Sequence, residues 1–121
     1  MKAHLAMKDD VVVVNLSGRI NMEYTDIFRE ACLNDIGIRA NKIIFNLKEL
    51  NFVGSNGIIP FVNAISALAE NKNKQLRFCG VGSEFKKIFA ASPLASVQIL
   101  DSIDGAFASL RNLDFIENDP A

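Results

Sequence analysis

Four consecutive valines, Val11–Val14, restrict the folds open to this chain more than any other stretch. Side chains on a strand alternate between its two faces, so a run with no polar position needs apolar cover on both sides. The run extends to Leu16 and stops at Ser17-Gly18. A second run, Lys42–Leu47 (KIIFNL), has the same character. Two such strands belong inside a sheet that carries further layers, the arrangement of α/β proteins. Gln75–Cys79 (QLRFC) alternates and ends at Gly80, and Ser96–Leu100 (SVQIL) reads as a last strand. Ahead of the valines, Ala3–Met7 is a shorter candidate, with Asp9-Asp10 placed to turn a hairpin.

Helical periodicity fills the gaps. Ile27, Phe28, Ala31 and Cys32 recur at helical spacing, with Asn21 placed to cap them and Gly37 near the expected end. Residues 58–69 are apolar at Ile58, Ile59, Phe61, Val62, Ile65, Leu68 and Ala69. Phe85, Ile88 and Phe89 mark a short helix, with Ser83 as its expected cap and Pro93 beyond its end. Ile103, Ala106, Phe107 and Leu110 share one face of a last helix. The sequence therefore predicts about five strands and about four helices. Alternation of this kind implies a mostly parallel sheet with an antiparallel hairpin at its start. Loops with a function would gather at the carboxyl ends of the strands, at Ser17–Met22, Asn51–Gly57, Gly80–Glu84 and Asp101–Ser102.

Composition narrows the function. Of 121 residues, 50% are hydrophobic and 22% charged, which fits one folded domain over residues 1–112 with a polar tail over 113–121. A net charge of −1 supplies no basic footprint for nucleic acid. Residues 2–10 are mixed polar, unlike a signal peptide, and no segment has the apolar length of a membrane span. Cys32 and Cys79 form no ligand pair and read as small buried core residues. The expectation is a cytoplasmic protein without direct membrane insertion.

Catalytic and metal signals are thin. His4 is the single histidine and reads as an edge-strand residue, and there is no Cys/His cluster for zinc. Gly80-Val81-Gly82 is a weak phosphate-loop candidate, because glycines at a strand-to-helix turn usually serve backbone geometry. No cofactor, metal or enzymatic turnover is expected. A nucleotide-binding domain would rest on that glycine pair alone. The informative stretch is Leu50–Phe61, LNFVGSNGIIPF, in which a strand runs into Gly54-Ser55-Asn56-Gly57 and an apolar helix leaves it. Pro60 is tolerated in a first helical turn but not deeper, so a cap at Asn56 or Gly57 suits it better than one at Ser55. The consecutive Ile58 and Ile59 cannot both face the same way on a helix. Either one is core and the other a surface anchor, or both are taken up by packing.

At this point the chain resembles the STAS domain family, which includes bacterial anti-sigma factor antagonists. VVVVNLSGRIN followed by an amphipathic helix resembles the family's second strand, its Gly-Arg-Leu/Ile-Asp turn and its first helix. KIIFNLKELNFVGSNGIIPFVNA resembles the third strand and the signature loop, usually Asp-Ser-Ser/Thr-Gly. QLRFCGVGSEFKKIF and VQILDSIDGAFASL resemble the closing strand–helix units. The resemblance implies a STAS fold and a protein-binding role without turnover. In the family, the second hydroxyl of the loop accepts phosphate from a partner that is both serine kinase and anti-sigma factor, and the phosphate breaks the complex. Here Gly54 stands where the family has Asp, Ser55 matches the first hydroxyl, Asn56 occupies the acceptor position and Gly57 matches the glycine. Asn cannot accept phosphate, so the resemblance implies constitutive binding, with takeover by Ser55 ranked below it. The implied partner surface comprises Arg19, Asn21, Ser55, Asn56, Ile58 and Ile59, with Gly82 and Ser83 at one side. The alternative is an accessory subunit that binds the ATPase of an ABC-type lipid transporter. An exposed strand edge would also let the domain pair weakly with itself as a homodimer.

Overall fold

The computed structural model describes residues 1–20, 22–52 and 57–117. Strands β1 (Lys2–Lys8) and β2 (Val11–Ile20) form the antiparallel hairpin, turned at Asp9, whose φ of 55° is left-handed. β3 (Lys42–Phe52), β4 (Gln75–Cys79) and β5 (Gln98–Leu100) follow in parallel, so the sheet order is β1-β2-β3-β4-β5. Each parallel step goes to the next strand in the same direction. Right-handed crossovers then place every connecting helix on one face. These are α1 (Met22–Ala31) with α2 (Gly37–Arg39), α3 (Ile58–Ala69) and α4 (Ser83–Ala90). α5 (Ile103–Glu117) comes after the last strand and covers part of the opposite face.

The four valines are divided between two apolar clusters. Val12 and Val14 join Phe28, Phe45, Phe61, Phe78 and Phe89 under the three crossover helices. Val11 and Val13 join Ile44, Cys79, Ala106, Phe107 and Leu110 beneath α5. Aromatic stacking ties the larger cluster together, with Phe28 on Phe61 at 5.2 Å and Phe78 on Phe89 at 4.7 Å between ring centroids.

Several boundaries differ from those expected. β2 does not stop at Ser17-Gly18 but continues to Ile20, because its pairing with β3 resumes at Ser17–Glu49 after a bulge. β3 likewise reaches Phe52, which shortens the loops expected from Ser17 and Asn51. Gly37 lies near the end of the first helical segment, as expected, but inside it, since helix continues to Arg39. A π turn, Cys32–Ile36, carries α1 into α2, and the Gly37 N–H donates to the Cys32 carbonyl. The wider π turn offsets the drift of an α-helix and keeps Phe28, Cys32 and Ile36, four residues apart, on the core side. Glycine is needed there for approach: a Cβ at Gly37 would lie 2.9 Å from the Cys32 carbonyl and 3.1 Å from Leu68. The Lys74 ammonium donates to the carbonyls of Gly37 and Ala40 and to Asn41 Oδ1, which closes the helix end. Ile27 is 65% exposed, and Thr25 takes the buried place expected of it. β5 begins at Gln98, not Ser96, because a 3₁₀ turn over Pro93–Ser96 precedes it, capped by Ser92 accepting from the Leu94 N–H at 3.0 Å. α5 runs to Glu117, into the segment read as tail.

Both cysteines are core residues, at 0% and 2% exposure. Desolvation pushes the Cys32 thiol from an ordinary 9.0 up to about 12, and raises Cys79 as well. Burial thus favours the neutral thiol in the folded state. Its contribution to stability is whole below pH 9.0 and is lost as pH rises toward about 12. Alkylation at neutral pH should modify neither thiol until the protein unfolds. Cys32→Ala should flatten that alkaline decline in a series of denaturant titrations; an unchanged decline would place its cause elsewhere.

Candidate functional site

The carboxyl ends of the parallel strands form one rim of the sheet, and α3 and α4 start from it. Gly57 is the N-cap of α3, with φ 87° and no side-chain cap. A left-handed residue at this point turns the incoming chain into the helix, and glycine does so without a Cβ penalty. The Gly57 carbonyl accepts from the Phe61 N–H at 3.0 Å. Pro60 is therefore the third helical residue, where a missing N–H breaks no intrahelical bond. This start settles the two isoleucines. Ile58 is 6% exposed and packs in the main core, while Ile59 is 70% exposed at the rim.

Gly82 caps α4 in extended conformation, and its carbonyl accepts from the Lys86 N–H at 3.0 Å. Ser83 is the first residue of the helix and not its cap, contrary to expectation. Its position follows from the extended backbone at Gly82, which already supplies the turn. Gly82 and Ser83 line an open cleft of about 360 Å³ with Lys48, Leu50, Asn51, Gly80, Glu84 and Phe85. The two glycines suspected of holding phosphate differ in how far backbone geometry requires them. Gly80 has φ 67°, and a Cβ there would lie 2.7 Å from the Lys48 nitrogen and 2.8 Å from Asn46 Oδ1. It is a close-approach residue. A Cβ at Gly82 would meet nothing within 4 Å.

Arg19 is exposed near the end of β2, in register with Asn51 of β3. Its neighbours Gly18 and Ile20 are paired with Leu50 and Phe52, and both Ile20 and Leu50 pack under the helices. By strand alternation Arg19 lies on the other face from Ile59. The rim thus brings together Gly57, Ile58 and Ile59 at one helix start and Gly82 and Ser83 at another, with Arg19 on the reverse side. Asn21, Gly54, Ser55 and Asn56 lie outside the described residues.

Sequence reasoning missed the asparagines that shape this rim. Asn15 and Asn46 are paired across β2 and β3, and Asn46 Nδ2 donates to Asn15 Oδ1 at 3.0 Å. Asn46 Oδ1 also accepts from the Lys48 N–H at 3.2 Å, holding the bulge that shifts the register beyond it. The signal was present: the same Asn-Leu pair closes VVVVNL and KIIFNL. On the open sheet face His4, Ser17, Lys48 and Glu49 surround these asparagines around a hollow of about 300 Å³. Among the described residues, no His/Cys/Asp/Glu group could hold a metal, and no helix is long and apolar enough to cross a membrane.

Substitution separates the two isoleucines. Ile59→Asp should change stability by no more than about 0.5 kcal/mol. Ile58→Asp should cost about 3 kcal/mol or more, from an unpaired charge in the core. Cooperative urea unfolding of both variants measures this, and equal losses would mean that both side chains are core.

A family model of the STAS domain matches residues 2–106. Among curated proteins, none matches the chain. Among solved structures, the chain is similar to an anti-sigma factor antagonist from Mycobacterium paratuberculosis, with TM-score 0.75 and 18% identity over 91% of this chain and 93% of that one. It is similar to the Bacillus cell fate determinant SpoIIAA in its phosphorylated form, with TM-score 0.67 and 18% identity over 90% and 99%. A third similar structure, a substituted form of RsbS from Moorella thermoacetica, gives TM-score 0.72 and 16% identity over 94% and 98%. At these identities the likeness establishes the shared fold, with its antiparallel first pair and parallel remainder.

Proposed function

The chain belongs to the STAS domain family, and we propose that it is a non-enzymatic regulatory module of the anti-sigma factor antagonist type. Its partner is an anti-sigma factor that is also a serine kinase, bound at the rim where residues 54–59 enter α3. The observation that carries this reading is Ile59, a large apolar side chain 70% exposed beside the left-handed Gly57, directly after a residue that is fully committed to the core. A rigid helix start presenting a single apolar anchor, with small residues before it, suits a partner's pocket. Gly82 and Ser83, at the next helix start along the same rim, extend the surface. Arg19 lies on the reverse face and belongs to it only through a partner that wraps the sheet end.

The loop sequence sets the regulation. A phosphate in such an interface adds close to two negative charges, which a complementary surface must desolvate or repel. The family's acceptor position holds Asn56, an amide with no hydroxyl to phosphorylate. Binding at this rim is therefore constitutive. Ser55 is one position away, and a shift of one residue redirects the hydroxyl at a strand-to-helix turn. SpoIIAA, similar in fold, is known in phosphorylated form, which makes Asn56→Ser the variant that restores an acceptor here.

Capture from native cell lysate, with wild type and Ile59→Asp as paired baits, tests the proposal. A serine kinase of the anti-sigma type held by wild type and lost by Ile59→Asp is the expected result. Intact mass after incubation with that kinase and ATP should then show phosphate on Asn56→Ser but not on wild type. Phosphate on wild type that disappears in Ser55→Ala would overturn constitutive binding. An ABC-type ATPase in place of the kinase would move the assignment to a transport accessory subunit.

A further inference from the structure

The sheet has two unequal edges. β5 is three residues long, whereas β1 runs for seven residues, Lys2–Lys8, with β2 on one side and, among the described residues, no strand on the other. An edge of that length is a template for pairing unless something blocks it. Apolar exposure also gathers there. Met7, on the helix-bearing face of β1, is 54% exposed. The groove between α1 and α3 is lined by Thr25, Asp26 and Arg29, so the opposite flank of α1, with Tyr24 at 43% and Ile27 at 65% exposure, looks toward β1.

We propose that β1 pairs antiparallel with β1 of a second copy of this chain, about a twofold axis at Ala6, so that two five-stranded sheets become one. In a twofold pair, opposed residues must share a face, so the axis falls on a residue. Charge then selects which one. An axis at Leu5 sets Lys2 against Lys8 at both ends, and like charges directly opposed are unfavourable. An axis at His4 leaves Lys8 beyond the partner strand and both acidic turns unmatched. An axis at Ala6 opposes Leu5 to Met7 twice on the helix-bearing face and sets the small Ala6 against itself. It also carries Lys2 past the partner strand's last residue to the acidic turn at Asp9-Asp10. Asp10 meets Lys42 of its own chain at 3.3 Å, so Asp9 is the acid at the outer corner. The Lys8 ammonium is drawn over the Phe107 ring, 5.3 Å from its centroid, which leaves the opposed His4 against the lysine stem. Lysines on an edge ordinarily prevent pairing. Here they block one register and favour its neighbour.

Sedimentation velocity across a concentration series reaching the millimolar range should show a monomer–dimer equilibrium, weakened several-fold by Lys2→Glu. The register is read by crosslinking. Ala6→Cys places a thiol on the axis, where opposed Cα atoms lie about 4.5–5.5 Å apart, within disulfide reach. The native thiols are buried at 0% and 2% exposure and do not compete. Under mild oxidant, Ala6→Cys should form a disulfide-linked dimer about tenfold faster than His4→Cys. A monomer at every concentration would overturn the proposal, as would crosslinking of His4→Cys at an equal or greater rate. Neither result bears on the rim, which lies at the strand ends and not at this edge.

Discussion

Burial of β2 and β3 on both faces is the constraint on which the rest of the structure depends. Val11–Val14 have no solvated side, and Ile43, Ile44 and Phe45 of β3 share that condition. Cover for both faces has to come from a short chain. Three crossovers that step in the same direction can cover one face only. The last helix, which connects no two strands among the described residues, covers part of the other. α5 shields Val11, Val13, Ile44 and Cys79 but not the sheet beyond Asn15 and Asn46. The layered arrangement is thus the consequence of where the apolar runs fall and of the order in which strands are added.

The same arrangement sets the rim. With all crossover helices on one face, α3 and α4 start side by side at the carboxyl ends of β3 and β4. The asparagine pair marks where continuous apolar pairing ends and the bulge begins. Asn46 holds the Lys48 N–H, and Gly80 allows β4 to leave close against that bulge. The cleft beside Gly82 and Ser83 lies immediately beyond. The exposed Ile59 therefore stands on a rigid support, since its neighbour Ile58 and the Phe61–Phe28 stack fix the first turn of α3 in the core.

Much of the fold was legible in the sequence because β2 and β3 carry short apolar, β-branched runs bounded by polar or turn residues, while the segments between strands keep helical spacing. All five strands and the helical segments between them are where the periodicity places them, and Pro60 confines the cap of α3 to Asn56 or Gly57. The ends were less legible. Ser17-Gly18 has the composition of a turn, yet the backbone continues because β3 offers a partner in a shifted register. Gly37 resembles a helix stop, but its role is close packing against Leu68 within a π turn. Ile27 fits an apolar stripe by spacing alone, and nothing in the spacing reveals that Thr25 takes its place. These differences arise from tertiary contacts, which local periodicity does not carry. The division of Ile58 and Ile59 required the helix start, which the sequence confined to two residues and the fold placed at one.

The proposed partner surface is one apolar anchor at a glycine-capped helix start with a second helix start beside it. The measurement that tests it most directly is nuclear magnetic resonance mapping of the isotopically labelled protein during titration with its captured partner. The account predicts that the amides perturbed most are those of Gly57, Ile59, Gly82 and Ser83, with Lys42, Gln75 and Gln98 at the opposite strand ends unmoved. Perturbation centred on those opposite ends, with the rim unchanged, would contradict it.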